Sequence, residues 1–409
     1  MLDKNSNIII FTDDSGKWQA EHPLNGINGP LKISCKNDTL LTDCSGYCGE
    51  KPESSSAIAR RVKDYHKGGL SVIEAEGFMP FEDGQISYKH SYKYSNRRVR
   101  VTSDISFTGS IPVKRHFGTG SLFLPGKWKD FYVIPAAELS VHGAEERLIE
   151  IPKYTGTEIM LGHWHRPPLS VTFKRPNGTT LEVGTGSDIW RWEENLGYAP
   201  ESGSFKIILE EKGIRFVREA LACCETYIPP NRSFRFSWYI AWRENGANKA
   251  LPRHHEIKLA FDKQGELNLT NLKKQVQSKS LYAYALFDLN DLSWDIKQLS
   301  SASPYDYIRE INTELPCWTA SSVATRVKKV IRKLLEIDEL DGIIFKNFTP
   351  KICYQSHHVN KKHENGSAHW DVNGLFDFAS WTVNACHGKL ELFWEDKNTL
   401  QPSLLGLFQ

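Results

Sequence analysis

"LSVTFKRPNGTTLEV", residues 169–183, is the stretch on which the fold turns. Leu169, Val171 and Phe173 alternate with polar residues, Pro176-Asn177-Gly178 supplies a turn that tolerates positive φ, and Leu181 with Val183 alternates on the return. Period two on both sides of such a turn marks an antiparallel hairpin with one apolar face. The pattern repeats along the chain. "FKIILEEKGIRFVREAL" turns near Gly213, and "RRVRVTSDISF" puts Val99, Val101, Ile105 and Phe107 on one side. In "RFSWYIAWR", residues 235–243, Phe236, Trp238, Ile240 and Trp242 face one way, while Arg235, Ser237, Tyr239 and Arg243 face the other. Repeated strands with turn signals between them predict a mainly β protein built on a large antiparallel β-sandwich.

Beyond about residue 265 the texture changes. "SSVATRVKKVIRKLLEI" carries Val323, Val327, Val330, Ile331, Leu334 and Leu335 at helical spacing behind a serine cap, which predicts an amphipathic helix. "NLTNLKKQVQ" reads as a shorter one, and "WTVNACHGKLELFW" reads as a hairpin turning at His387 and Gly388. The division expected is therefore an antiparallel β-sandwich over 1–265 and a smaller α+β region over 266–409. No fixed-period repeat or low-complexity linker interrupts the chain.

Composition sets further bounds. A chain of 409 residues with 40% hydrophobic content can fill a large core. Lys and Arg total 51 against 49 Asp and Glu, a net charge of +2, so charge gives no reason to expect nucleic acid or an anionic membrane as partner. No long uninterrupted apolar window occurs, and the start "MLDKNSNIIIFTDDSGKW" has neither the basic nor the apolar region of a secretion signal. The expectation is a soluble protein, cytoplasmic or secreted after loss of a signal. Eight cysteines are too sparse for a disulfide scaffold and match no zinc spacing. No motif calls for a metal or cofactor, and oligomeric state is not encoded.

Chemistry concentrates on either side of the opening hairpin. Downstream, "GTGSDIWRWEENLGY" sets Asp188, Glu193 and Glu194 among Trp190, Arg191 and Trp192. Flat apolar rings beside charged groups suit the two kinds of surface on a sugar, although the same tryptophans could be core residues and Arg191 with Glu193 a solvated pair. Upstream, "LGHWHRPPL" has His163 and His165 flanking Trp164, with Arg166 next. Two imidazoles on one side of a strand suit a general acid or base, part of a metal site, or plain backbone bonding. A third group, Lys114, Arg115, His116 and Trp128 in "VKRHFGTGSLFLPGKWKDF", could hold the carboxylate of an acidic sugar. Its glycines read as a loop and lack the dinucleotide-binding pattern. "QISYKHSYKY" puts Tyr88, His90, Tyr92 and Tyr94 on one face, either a wet aromatic groove or a half-buried sheet surface. The histidines of "YQSHHVNKKHENGSAHWD" read as loop residues, with Trp370 a pocket-mouth or anchoring ring.

"GSLFLPGKW", "HWHRPP" and "GTGSDIWRWEE" set in an aromatic-rich antiparallel pattern resemble the galactose mutarotase-like super-sandwich of carbohydrate-active proteins. That resemblance implies a saccharide on a concave sheet face, met by His, Arg, Trp and carboxylate groups. It implies hydrolysis, β-elimination, epimerisation or binding alone. No Asn-His dipeptide occurs in the chain, which argues against a simple mutarotase. The reading favoured is a glycoside hydrolase acting on an oligo- or polysaccharide, with Asp188 and Glu193 or Glu194 as its carboxylates. The alternatives are a polysaccharide lyase, using His163 or His165 with Arg166 or Arg115, and a carbohydrate-binding protein without catalysis.

Overall fold

The computed structural model describes residues 2–4, 8–13, 15–23, 31–36, 38–43, 47–48, 58–67, 70–81, 84–95, 97–108, 111–113, 117–135, 147–151, 155–163, 168–185, 204–221, 226–228, 233–243, 253–262, 266–278, 282–291, 318, 321–346, 348, 352–353, 369–370 and 372–395. The chain divides into two compact units, Met1–Asn245 and Gly246–Gln409.

The first unit is a sandwich of a ten-stranded and a nine-stranded antiparallel sheet. The opening hairpin forms as its sequence dictates. Pro168–Lys174 pairs with Thr180–Thr185, Val171 opposite Val183 and Phe173 opposite Leu181. Gly178 takes φ +84° in the turn, a conformation that a side chain would oppose. Asn177 Oδ1 accepts from the Thr179 amide at 3.0 Å, closing the turn locally. Four strands follow outward in the nine-stranded sheet: Ser233–Arg243, Arg98–Thr108, Gly84–Tyr94 and Leu70–Phe81. Ile58–Lys67 forms one edge of that sheet.

The core lies between the sheets. Val171, Phe173, Leu181, Val183, Trp238, Ile240 and Trp242 of the nine-stranded sheet meet Trp18, Ile33, Leu124, Ile207 and Phe216 of the other. Trp18 and Trp242 approach to 6.0 Å between ring centroids, and Phe216 lies 6.3 Å from Phe173 and 6.4 Å from Trp238. Burying one such ring contributes about 1.5–3 kcal/mol, so these contacts hold the layers together. Tyr88, His90, Tyr92 and Tyr94 also face inward and are buried. That corrects both readings of residues 85–94, because the opposite sheet covers this face. His22 arrives from that sheet, its Nε2 bonded to the Tyr94 hydroxyl and its ring 4.5 Å from Tyr92.

Two more expectations are corrected. The glycines of "HFGTGS" lie within the strand Phe117–Pro125, where the register shifts on either side of Gly118; they make a bulge where a loop was expected, because glycine gives the strand freedom to kink. "WTVNACHGKLELFW" is the end of a helix, Val372–Cys386, followed by a strand, Glu391–Glu395. Gly388 at φ +69° lets the chain leave the helix while the Lys389 amide bonds Cys386 O at 2.9 Å. Glycine therefore serves here as a helix stop rather than a hairpin turn.

The second unit has four parallel strands in chain order: His254–Lys258, Tyr282–Asp288, Gly342–Lys346 and Glu391–Glu395. The expected helices form at Leu269–Gln277, capped by Asn268, and at Ser321–Leu334. Val323, Val327, Val330, Ile331 and Leu334 are all buried, as their spacing predicts. Tyr284 lies across Gly342 and donates to Glu391 Oε2 at 2.5 Å. No helix among the described residues is long and apolar enough to cross a membrane.

Candidate functional site

The two ends of the sandwich differ, and strand register shows how. At one end the connections are tight. Pro125 pairs with Gly213, and Asp130, Lys174, Thr180 and Arg243 form a line across the other sheet. Arg175 closes this end. It donates to Pro125 O at 2.9 Å and Thr39 O at 3.1 Å, pairs with Asp38, and stacks on Trp128 with 4.9 Å to the ring centroid. Arg97 joins the sheets at the same end by pairing with Asp13 at 3.2 Å.

At the opposite end, Gly118, Glu219, Ser204 and His163 are successive partners across the ten-stranded sheet. Pro135 with Pro168, and Thr185 with Trp238, mark that end of the nine-stranded sheet. Three segments singled out from sequence are bounded there. Residues 114–116 precede Phe117, residues 164–167 run between His163 and Pro168, and residues 186–203 run between Thr185 and Ser204. Arg115, His116, Trp164, His165, Arg166, Asp188, Trp190, Arg191, Trp192, Glu193 and Glu194 lie outside the described residues. His163 is the last residue of its strand.

Trp128 is placed differently from its expected role as a substrate contact. Its ring is 7% exposed and packs edge-on against Phe173 at 6.0 Å, and its Nε1 donates to Leu124 O and Pro125 O at 3.1 and 3.2 Å. With its polar atom satisfied and its faces packed, it serves the tight end of the sandwich. Among the described residues no group of three or more His, Cys, Asp or Glu could hold a metal ion.

The outer face of the nine-stranded sheet carries charged and polar groups that alternation alone does not mark as buried. Glu182, Arg98, Arg100, Ser237 and Tyr239 are all buried, and Arg243 is nearly so. Burial, then the Arg243 charge, pull the Arg98 guanidinium below its ordinary value, while Glu182 pulls it back up. Arg243 is lowered by burial and raised by Glu182. Guanidinium holds its proton throughout the physiological range, so Glu182 sits among fixed positive charges. Beside it, on the Pro168–Lys174 strand, the Ser170 and Thr172 hydroxyls are buried without a hydrogen-bond partner, and Ser170 is 0% exposed. Such orphaned hydroxyls are uncommon, because each forfeits about 1–3 kcal/mol of hydration. The available sequence signal was the pairing of charged residues, Arg98, Arg100, Glu182 and Arg243, with the most apolar strands of the chain.

The same face runs outward to the sheet edge. Tyr65 donates to Glu74 Oε1 at 3.0 Å, and Lys89 Nζ lies 3.3 Å from Glu74 and 3.5 Å from Glu76. Tyr65, at 38% exposure, is one of three large hydrophobic side chains exposed among the described residues.

No protein-family model and no curated protein matches the chain. Several solved structures do. A proposed aldose 1-epimerase from Escherichia coli K12 is 7% identical, with 58% of this chain and 99% of that chain covered at a TM-score of 0.34. The GH36 α-galactosidase AgaA from Geobacillus stearothermophilus is 9% identical, with coverage of 92% and 71% and a TM-score of 0.40. An α-galactosidase from Lactobacillus brevis is 9% identical, with coverage of 97% and 69% and a TM-score of 0.38. Likeness this slight, with TM-scores under 0.5, decides neither the fold nor the chemistry of this chain.

Proposed function

We propose that the protein is a carbohydrate-active enzyme acting on an oligo- or polysaccharide, and in the first place a glycoside hydrolase. One observation carries this reading: the strand ends that bound residues 114–116, 164–167 and 186–203 all lie at the same end of the sandwich. Three segments that carry acids, bases and indoles are thereby tethered to strand ends at one end of the sandwich. In a hydrolase, Asp188 and Glu193 or Glu194 divide the roles of general acid and of base or nucleophile. Their separation sets inversion or retention of the anomeric centre. Trp190 and Trp192 supply apolar platforms for the sugar, and Arg191 supplies a donor for its hydroxyls.

The test is incubation with neutral and acidic oligosaccharides, following both new reducing ends and absorbance from unsaturated uronates. Reducing ends without absorbance, abolished by Asp188→Asn or Glu193→Gln with folding intact, are the expected result. Absorbance from uronates that requires His163 or His165 would assign a lyase instead. Saccharide affinity with neither signal would leave a binding protein, and no affinity for any saccharide would overturn the reading altogether.

A further inference from the structure

We propose that residues 353–369 hold a zinc ion, with Cys353 and His369, set opposite one another by strand pairing, as two of its ligands and histidines of the chain between them as the rest. The inference concerns the second unit alone and is independent of the carbohydrate reading above.

The juxtaposition comes from the backbone. Ile352–Cys353 and His369–Trp370 pair antiparallel, Ile352 opposite Trp370 and Cys353 opposite His369. Directly opposed residues of an antiparallel pair have Cβ atoms about 4.5–5.5 Å apart. One zinc ion, bonded to a thiolate at about 2.3 Å and to an imidazole at about 2.0–2.1 Å, spans such a separation. Spacing along the chain does not mark this pair, because a cysteine and a histidine so far apart match no ligand motif. The strand register supplies what the spacing lacks.

The connecting stretch, "YQSHHVNKKHENGSA" over 354–368, carries His357, His358 and His363. These three lie outside the described residues, but both ends of their stretch are tied to the Cys353–His369 pair. Four of the chain's 14 histidines fall within residues 357–369, so one thiolate and three imidazoles complete a four-coordinate set without a ligand from elsewhere. Sulfur with imidazole nitrogen suits zinc, whereas calcium and magnesium take oxygen ligands.

The ladder itself gives a reason for such a clip. Among the described residues, two residue pairs join these strands. So short a hairpin is marginal in water, and the more so when its connection is long. Its flanks are anchored. Phe348 is 0% exposed and stacks on Phe378 at 5.8 Å, and the helix Val372–Cys386 begins just after Trp370. Zinc held by both strands closes the stretch between these anchors, and its binding adds to the stability of the folded unit.

The test is titration of the full chain, free of any histidine tag and stripped with chelator, first with cobalt and then with zinc. The expected result is one equivalent of tetrahedral cobalt with a thiolate-to-metal charge-transfer band, displaced by zinc. Cys353→Ser abolishes that band, whereas Cys35→Ser, in the first unit, leaves it. His369→Ala keeps the band and weakens zinc by roughly tenfold or more, since even a group behind a ligand commonly contributes that much. His357→Ala, His358→Ala and His363→Ala, made singly, identify the remaining ligands by the same loss. Alkylation of Cys353 in the unsubstituted folded chain, read by mass spectrometry, slows when zinc is added, a measurement that depends on no variant. Absence of the band, its survival in Cys353→Ser, or alkylation of Cys353 indifferent to zinc would overturn the site. Unchanged zinc affinity in His369→Ala, or in all three of the other histidine variants, would do the same.

Discussion

His90 shows what burial does to a single ionisable group. Its Nδ1 bonds Ser103 Oγ at 2.8 Å and its ring stacks on Tyr88 at 4.3 Å. Desolvation outweighs the nearby Asp104 charge and lowers its pKa from 6.5 to about 3. The unfolded chain therefore takes up a proton as pH falls through 6.5 while the folded chain does not, and stability declines from there down to about pH 3. Urea titrations at pH 7 and pH 4 should show a smaller acid loss in His90→Phe than in the unsubstituted protein, after any common loss from carboxylates cancels. Trp128 carries a second prediction at this scale. Trp128→Ala should cost about 3–5 kcal/mol in chemical denaturation and leave any saccharide affinity of the folded fraction intact, since the ring is packed within the core.

At the scale of the element, the hairpin at 169–183 and the helices at 269–277 and 321–334 were legible because a local code sufficed: turn residues, a cap and one unbroken period. The end of the Val372–Cys386 helix was not legible. His387-Gly388 offers the same positive-φ step to a hairpin and to a helix stop, and only the burial of Leu375, Phe376, Phe378, Ala379 and Cys386 decides between them. Alternation likewise separated the two faces of the Ser233–Arg243 strand without saying that both are buried. The candidate acids and indoles around Asp188 were visible as residue types only. Their anchoring at one end of the sandwich needed the strand register. Gly342 gives a prediction of its own here. A Cβ at that position would meet the Tyr284 ring at 2.4 Å, so Gly342→Ala must displace the ring and its bond to Glu391. The expected loss is about 1–3 kcal/mol, more than for Tyr284→Phe, which removes the hydroxyl and leaves the ring in place; equilibrium unfolding in urea checks the order.

Among the described residues, two arginine clamps fasten one end of the sandwich. Arg175 with Asp38 and Arg97 with Asp13 tie the sheets together at the tight-turn end, each guanidinium reaching from one sheet to the other. Arg175→Met should cost about 1–3 kcal/mol by leaving carbonyl oxygens and Asp38 without their donor, and Arg97→Met a similar amount because it leaves the fully buried Asp13 carboxylate without its guanidinium. The two losses should add in the double variant, since the clamps use different strands. Thermal melts measure the sum, and a saccharide-binding assay on the same samples should show no change, because the fastened end is opposite the strand ends that bound residues 114–116, 164–167 and 186–203.

The clamps at the tight-turn end have a consequence for how such a scaffold can diversify. Strand alignment is dictated where the turns are short and the arginines grip. A loop transplanted at the other rim should therefore leave the strand pairs of both sheets in register, and alter what the molecule recognises long before it alters whether the molecule folds.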